Sequence, residues 1–336
     1  MIGTQLWTRR GLFRVGAGAA AAAVLPCAAH AEPASPAASP TRDDLHGAGF
    51  YRFNVGQARV TLISDGTFPM NPAMLLGQSA TPADIQAAAT DAFLGNTVPG
   101  HVNTLLVQTA TDTILIDTGC GSGFGPTTGQ LAARLALAGV KPDDVTTLIL
   151  THLHPDHVGG LVTPVGDFAL PNAKVLLDPA ERAFWSQPNP DLSRSGMPQD
   201  MLPMVVATAA KLLQLTADRL VEARPGQEVV PGISIINAPG HTPGHIAVLV
   251  TSGGQSLLYI ADLMHLPQLQ LAQPGWHVAF DTDPVQGAAT RKAMLDRIAA
   301  DRTLIAGAHV PFPALGHVRT RGSAFEWVPV TWQWPG

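Results

Sequence analysis

Residues 151–160 read THLHPDHVGG, which places His152, His154, Asp156 and His157 within six positions of a chain only 13% charged over its 336 residues. A solvated loop has no use for four strong ligands at that spacing. The apolar run TTLIL leads into the cluster and reads as a strand. If extended backbone continues two residues further, His152 and His154 point to the same side, and Pro155 disfavours helix at His154. Asp156 and His157 then lie where the chain turns toward Gly159 and Gly160, so they face a second point. One pair suits one metal ion and the next pair another.

A metal centre needs further ligands, and three later positions offer them: His241 in NAPGHTPGH, Asp262 in LLYIADL and His309 in IAGAH. Each ends an apolar run that reads as a strand, where side chains emerge at the rim of a sheet. Together with the cluster they make seven ligands, enough for two divalent ions bridged by one carboxylate. Imidazole and carboxylate suit zinc, with manganese, iron or cobalt as substitutes, and no thiolate stands near the cluster. Two cations roughly 3.5–4 Å apart share a water, lower its pKa toward neutrality and polarise a substrate oxygen, so no side-chain nucleophile is required. Asp117 in LIDTG is expected to support the ligands by hydrogen bonds. Asp65 in ISDGT reads as a turn residue at a strand end.

The N-terminal stretch TRRGLFRVGAGAAAAAVLPCAAHA combines Arg9 and Arg10, an alanine-rich apolar run and Ala29-His30-Ala31. Residues 1–31 are therefore expected to be a Tat-type export signal, giving a periplasmic or secreted protein. Residues 32–49, rich in proline and alanine without an apolar period, read as a flexible linker. Residues 50–336 are left as one domain. The leader carries arginines but no acids, so its loss makes the remainder more acidic than the −5 of the whole chain. Nucleic acid is a poor partner for such a surface, and no later stretch suits stable membrane insertion. Cys27 leaves with the leader, so Cys120 has no disulfide partner; Pro26 argues against a lipid on Cys27.

FYRFNV with ARVTLIS, NTLLVQT with TILIDTG, and HIAVLVTS with SLLYIAD read as hairpins, while AKVLL, ISIINAP and TLIAGA read as further strands. Helices are expected over residues 131–138, 179–185 and about 198–215, and from the Asp283-Pro284 start to about Ala300. Strands followed by helices in both halves suit a layered α/β sandwich. GCGSGFG, residues 119–125, does not keep dinucleotide-loop spacing and reads as a flexible rim loop.

These residues resemble the metallo-β-lactamase fold hydrolases, whose signature is HxHxDH followed by a distant His, a distant Asp and a last His. The resemblance implies an α/β fold, an αββα four-layer sandwich, with the site at the edge between two sheets. It also implies that His152, His154 and His241 hold one metal and Asp156, His157 and His309 the other, with Asp262 bridging. Asp156 and Asp262 are accordingly the catalytic carboxylates.

Within that superfamily, FGPTTG, ERAFWSQ, HTPGH and AHVPFPALGH resemble the methyl parathion hydrolase-like group. In that group aromatic side chains line the pocket, and the matching positions are Phe124 and Trp185, with Met197 nearby. His265 and Phe280 stand where the group has leucines, which implies a tighter and more polar pocket. The expected substrate is therefore a small carboxylic ester, aryl ester or lactone, with phosphotriesters as a side activity. Acyl-homoserine lactonases share the ligand pattern but use a pocket tyrosine, and neither Tyr51 nor Tyr259 lies in a pocket loop, which disfavours that substrate. A β-lactamase, and a metal-binding protein without turnover, are the remaining alternatives; a homodimer is allowed.

Overall fold

The computed structural model describes residues 47–163 and 165–331. The export signal and nearly all of the linker expected from the sequence lie outside the described residues. The chain from residue 50 onward lays down two seven-stranded sheets one after the other. In the first sheet spatial order follows sequence: β1 (Phe50–Val55), β2 (Ala58–Met70), β3 (Val98–Gln108), β4 (Thr113–Ile116), β5 (Thr147–Ile149), β6 (Lys174–Leu177) and β7 (Leu220–Glu222). Pairing is antiparallel from β1 to β4 and parallel from β4 to β7.

The second sheet holds β8 (Glu228–Val230), β9 (Ile233–Asn237), β10 (Ile246–Ser252), β11 (Gln255–Tyr259), β12 (Leu304–Ala306), β13 (Leu315–Arg321) and β14 (Ala324–Pro329), again in sequence order. Only β11 and β12 pair in parallel, because the connection between them carries a helix over the sheet.

Strand residues alternate between two buried environments. Leu62, Ile114, Ile116, Val248 and Leu257 enter the core between the sheets. Ile63 and Leu115 point the other way, beneath α3 (Leu131–Leu137), α5 (Pro179–Trp185) and α6 (Leu202–Leu215). On the opposite outer face, Leu258 and Ile305 meet Leu295 and Ile298 of α8 (Pro284–Asp301). Burial on both faces explains why these strands read as continuous apolar runs. The result is the expected α/β sandwich, helices outside and two sheets within. At the rim away from the histidine cluster the sheets are stitched turn to turn: Gly56 N–H donates to Gln255 and Gln57 N–H to Ser252.

Asp178 and Asp283 cap α5 and α8, each accepting a backbone N–H of the first turn ahead of a proline. The helix expected from residue 198 begins at Leu202, because Pro203, which lacks an N–H, is tolerated only in the first turn. The strand expected to stop at Ser64 continues to Met70 through a bulge at Asp65, followed by Gly66, whose φ of 135° few other residues adopt. No helix among the described residues is long and apolar enough to cross a membrane.

Candidate metal centre

The loops that follow β5, β9, β11 and β12 converge at one rim. Thr151 to His154 lead on from β5, with His154 extended, and Pro155 opens the short helix α4 (Pro155–Val158), which carries Asp156 and His157 and sets the His157 ring 4.1 Å from that of His152 between centres. His241 lies between β9 and β10, Asp262 in the turn after β11, and His309 after β12.

Two groups of donors result. In the first, His154 Nδ1 is 2.8 Å from His241 Nε2, which is 3.2 Å from His152 Nε2. In the second, His157 Nε2 is 3.7 Å from Asp156 Oδ2, and His309 Nε2 is 3.4 Å from the same oxygen. Asp262 touches both: Oδ1 is 3.0 Å from His157 Nε2, while Oδ2 is 3.0 Å from His309 Nε2 and 3.3 Å from His241 Nε2. Donor atoms on a tetrahedral zinc with bonds near 2.05 Å are about 3.3 Å apart, so these separations match the edges of a coordination shell. The donor set fits divalent ions on a second ground. His157 Nε2 and Asp262 Oδ1, though 3.0 Å apart, make no aligned hydrogen bond and are buried without another partner, a costly arrangement unless something else binds between them.

Outer hydrogen bonds fix most of the rings. His157 Nδ1 meets Asp117 at 2.8 Å, His241 Nδ1 meets Asp281 at 2.8 Å, and His309 Nδ1 meets the carbonyl of His101 at 2.6 Å. Asp117 also accepts the Thr151 N–H and hydroxyl, and it holds a left-handed φ of 61° to do so. Ala261, next to Asp262, is likewise left-handed at φ 45°; such backbone persists where the surroundings impose it. His245 accepts the Asp262 N–H and holds its own Nδ1 on Ala238 O.

The electrostatics divide the imidazoles. Burial, reinforced by neighbouring histidines, holds His152 and His154 well below the ordinary range. For His241 burial acts in the same direction, but the hydrogen bonds and charges of Asp262 and then Asp281 outweigh it and push the ring up to about 9. Burial opposes, yet the histidines around Asp262 hold its carboxyl well below the usual range.

Trp185 is buried, its indole edge on His154 and its N–H on Glu181, and Met197 is buried in the same core cluster. Phe124 is half-buried against Phe68 at 5.3 Å between ring centres. Phe280, half-buried, stands 6.4 Å from His265. His265 is placed among the donors: it is 2% exposed, stacks on His309, and brings Nε2 within 3.1 Å of Asp262 Oδ2. Tyr259 is buried and donates to Asn103 O.

Two loop readings change. Asp65 is a buried clamp, accepting the N–H groups of Cys120, Gly129 and Leu131, and so ties down the ends of the loop expected to be flexible. Gly121 and Gly159 pack backbone to backbone between that loop and the cluster, where any Cβ would collide. Burial, then the charges of Asp156 and Asp65, push the Cys120 thiol far above its ordinary value, which removes it as a nucleophile. Glu181, Asp281 and Arg291 were not singled out from the sequence. The available signal for Glu181 was a carboxylate four residues before Trp185, hence on the buried face of its helix.

The family model described as the metallo-beta-lactamase superfamily matches residues 97–309, a span that includes all seven donors. Among solved structures, AidC, a dizinc quorum-quenching lactonase in complex with a product, is 28% identical at a TM-score of 0.81, covering 85% of this chain and 98% of that one. The hydrolase AbOPH of the beta lactamase superfamily is 29% identical at a TM-score of 0.78, covering 86% and 99%. An N-acyl homoserine lactonase of Bacillus cereus is 25% identical over 131 residues, 39% of this chain and 43% of the lactonase. The chain thus aligns with less than half the length of that relative. Converging donors, two stacked sheets and the matching family model lead to one statement of kinship: the chain belongs to the metallo-beta-lactamase superfamily.

Proposed function

We propose that the protein is a dinuclear metal-dependent hydrolase of lactones and activated carboxylic esters, with N-acyl homoserine lactones as the first lactones to test. His152, His154 and His241 hold one ion, Asp156, His157 and His309 the other, and Asp262 serves both. The observation that carries this reading is Asp262, whose two oxygens lie 3.0 Å from His157 Nε2 and 3.0 Å from His309 Nε2, with His241 at 3.3 Å. When bound, two such ions supply an ionised water and polarise the ester carbonyl. The chain's own part is orientation: Asp117, Asp281 and the His101 carbonyl fix the ring positions, and the buried surroundings strengthen every charge interaction at the rim.

The lactone preference is supported by the likeness to AidC, which extends over 98% of that chain. The lack of a pocket tyrosine, read from the sequence as disfavouring homoserine lactones, weighs less beside that likeness. Phosphotriesters, implied by the resemblance to the methyl parathion hydrolase-like group, are the second class.

The test is to purify the protein, measure its metal content, and compare rates on N-hexanoyl homoserine lactone, dihydrocoumarin, p-nitrophenyl acetate, methyl parathion and nitrocefin. The lactones should turn over fastest, and chelation should abolish the activity. Faster methyl parathion hydrolysis transfers the assignment to phosphotriesters. Full metal loading without turnover on any of them leaves a metal-binding protein.

A further inference from the structure

Glu181, on α5, is fully buried and accepts four hydrogen bonds. Its Oε1 accepts the Leu153 N–H at 2.9 Å and the Trp185 indole N–H at 2.7 Å. Its Oε2 accepts the Thr242 hydroxyl at 2.6 Å and the Gly244 N–H at 3.1 Å. Leu153 separates His152 from His154, and Thr242 follows His241. One carboxylate therefore grips both loops that carry the three-histidine group, one loop from each sheet. Gly244 fits closely there, since a Cβ at that position would fall on the backbone of Glu181. Besides Glu181, the two loops are joined by the Ile246 N–H on Thr151 O.

We propose that Glu181 is a positioning residue that sets the distance from His241 to His152 and His154 and thereby the metal affinity of the three-histidine group. The inference rests on the dinuclear reading above. Only a carboxylate meets the local demand, because both oxygens must accept twice. A glutamine there has to turn its NH₂ toward one pair of donors. The Thr242 hydroxyl can rotate and accept, whereas the Leu153, Trp185 and Gly244 N–H groups cannot. The amide nitrogen of Glu181→Gln therefore faces Thr242 and opposes the Gly244 N–H, so the His241 loop is the one that shifts. Losing such an outer partner costs about 10–100-fold in metal affinity.

The experiment titrates zinc into metal-free wild type, Glu181→Gln, Thr242→Val and Thr242→Ser against a chromophoric chelator. Cobalt spectra and the thermal midpoint of each metal-free protein are recorded alongside. The expected result is two zinc ions in the wild type and a loss of about 10–100-fold at one of them in Glu181→Gln. Thr242→Val should show a smaller loss at the same ion, restored in Thr242→Ser, with the cobalt spectrum of the other ion unchanged. Wild-type affinity at both ions in Glu181→Gln and Thr242→Val overturns the inference. So does an equal weakening of both ions that follows a lowered thermal midpoint, since that marks a residue that only supports the fold. A wild-type protein that binds no zinc refutes the dinuclear reading itself and the inference with it.

Discussion

Replacing Asp281 by asparagine separates two roles that this carboxylate combines. Its Oδ1 holds His241 Nδ1 at 2.8 Å, and its Oδ2 stands 3.5 Å from Nη2 of Arg291, both side chains being about 1% exposed. Asparagine keeps an acceptor for the histidine but leaves the guanidinium without a counter-charge. Unit charges 3.5 Å apart attract by about 4.7 kcal/mol at an effective dielectric of 20. Arg291 also donates to the carbonyls of Leu263, Pro274 and Trp276, which remain, so a loss of about 2–3 kcal/mol in the metal-free protein is expected. Zinc affinity should fall separately by about tenfold, because an amide oxygen polarises His241 less than a carboxylate does. Urea unfolding of the metal-free protein reads the first quantity and chelator competition the second. A cycle with Arg291→Met should show coupling of about 2–3 kcal/mol in stability and none in zinc affinity. Unchanged stability in Asp281→Asn refutes the buried-pair argument. If Arg291→Met weakens zinc as much as Asp281→Asn does, the effect does not pass through the hydrogen bond to His241.

Asp262→Ala removes the shared carboxylate and should reduce zinc stoichiometry below two and turnover by at least about 100-fold; metal analysis and steady-state rates check both, and full activity contradicts the ligand assignment. Zinc binding to the metal-free protein at pH 7 should release at least one proton, because His241, pushed up to about 9, is protonated there and a ligand must be neutral. Calorimetry in buffers of different ionisation enthalpy measures that release, and affinity should fall as pH falls. Replacing Arg9 and Arg10 by lysine should hold the precursor in the cytoplasm if residues 1–31 direct Tat export, a point that cell fractionation decides.

The donors were legible because each obeys a local rule. His152 and His154 follow a strand, Pro155 opens the turn that carries Asp156 and His157, and His241, Asp262 and His309 each follow an apolar run. The layered α/β fold followed from the same runs, which alternate between two buried faces. What escaped depends on contacts distant in sequence. Asp281 acts on His241 and Glu181 on Leu153, Thr242 and Gly244, partners that no local spacing in the sequence points to. Asp65 looked like a turn residue because its three partners, Cys120, Gly129 and Leu131, lie more than fifty residues away. For His265, nothing in the sequence shows that its ring stacks on His309 and that its Nε2 reaches Asp262.

The first sheet is complete by Glu222 and the second begins at Glu228. His152, His154, Asp156 and His157 belong to the earlier half of the chain, and His241, Asp262 and His309 to the later. Neither half owns a finished coordination shell, so an ion seated across the seam certifies that both halves have folded and docked in register. Metal occupancy would then work as an assembly checkpoint, and a chain severed between residues 222 and 228 makes a natural starting point for a zinc-reported split protein.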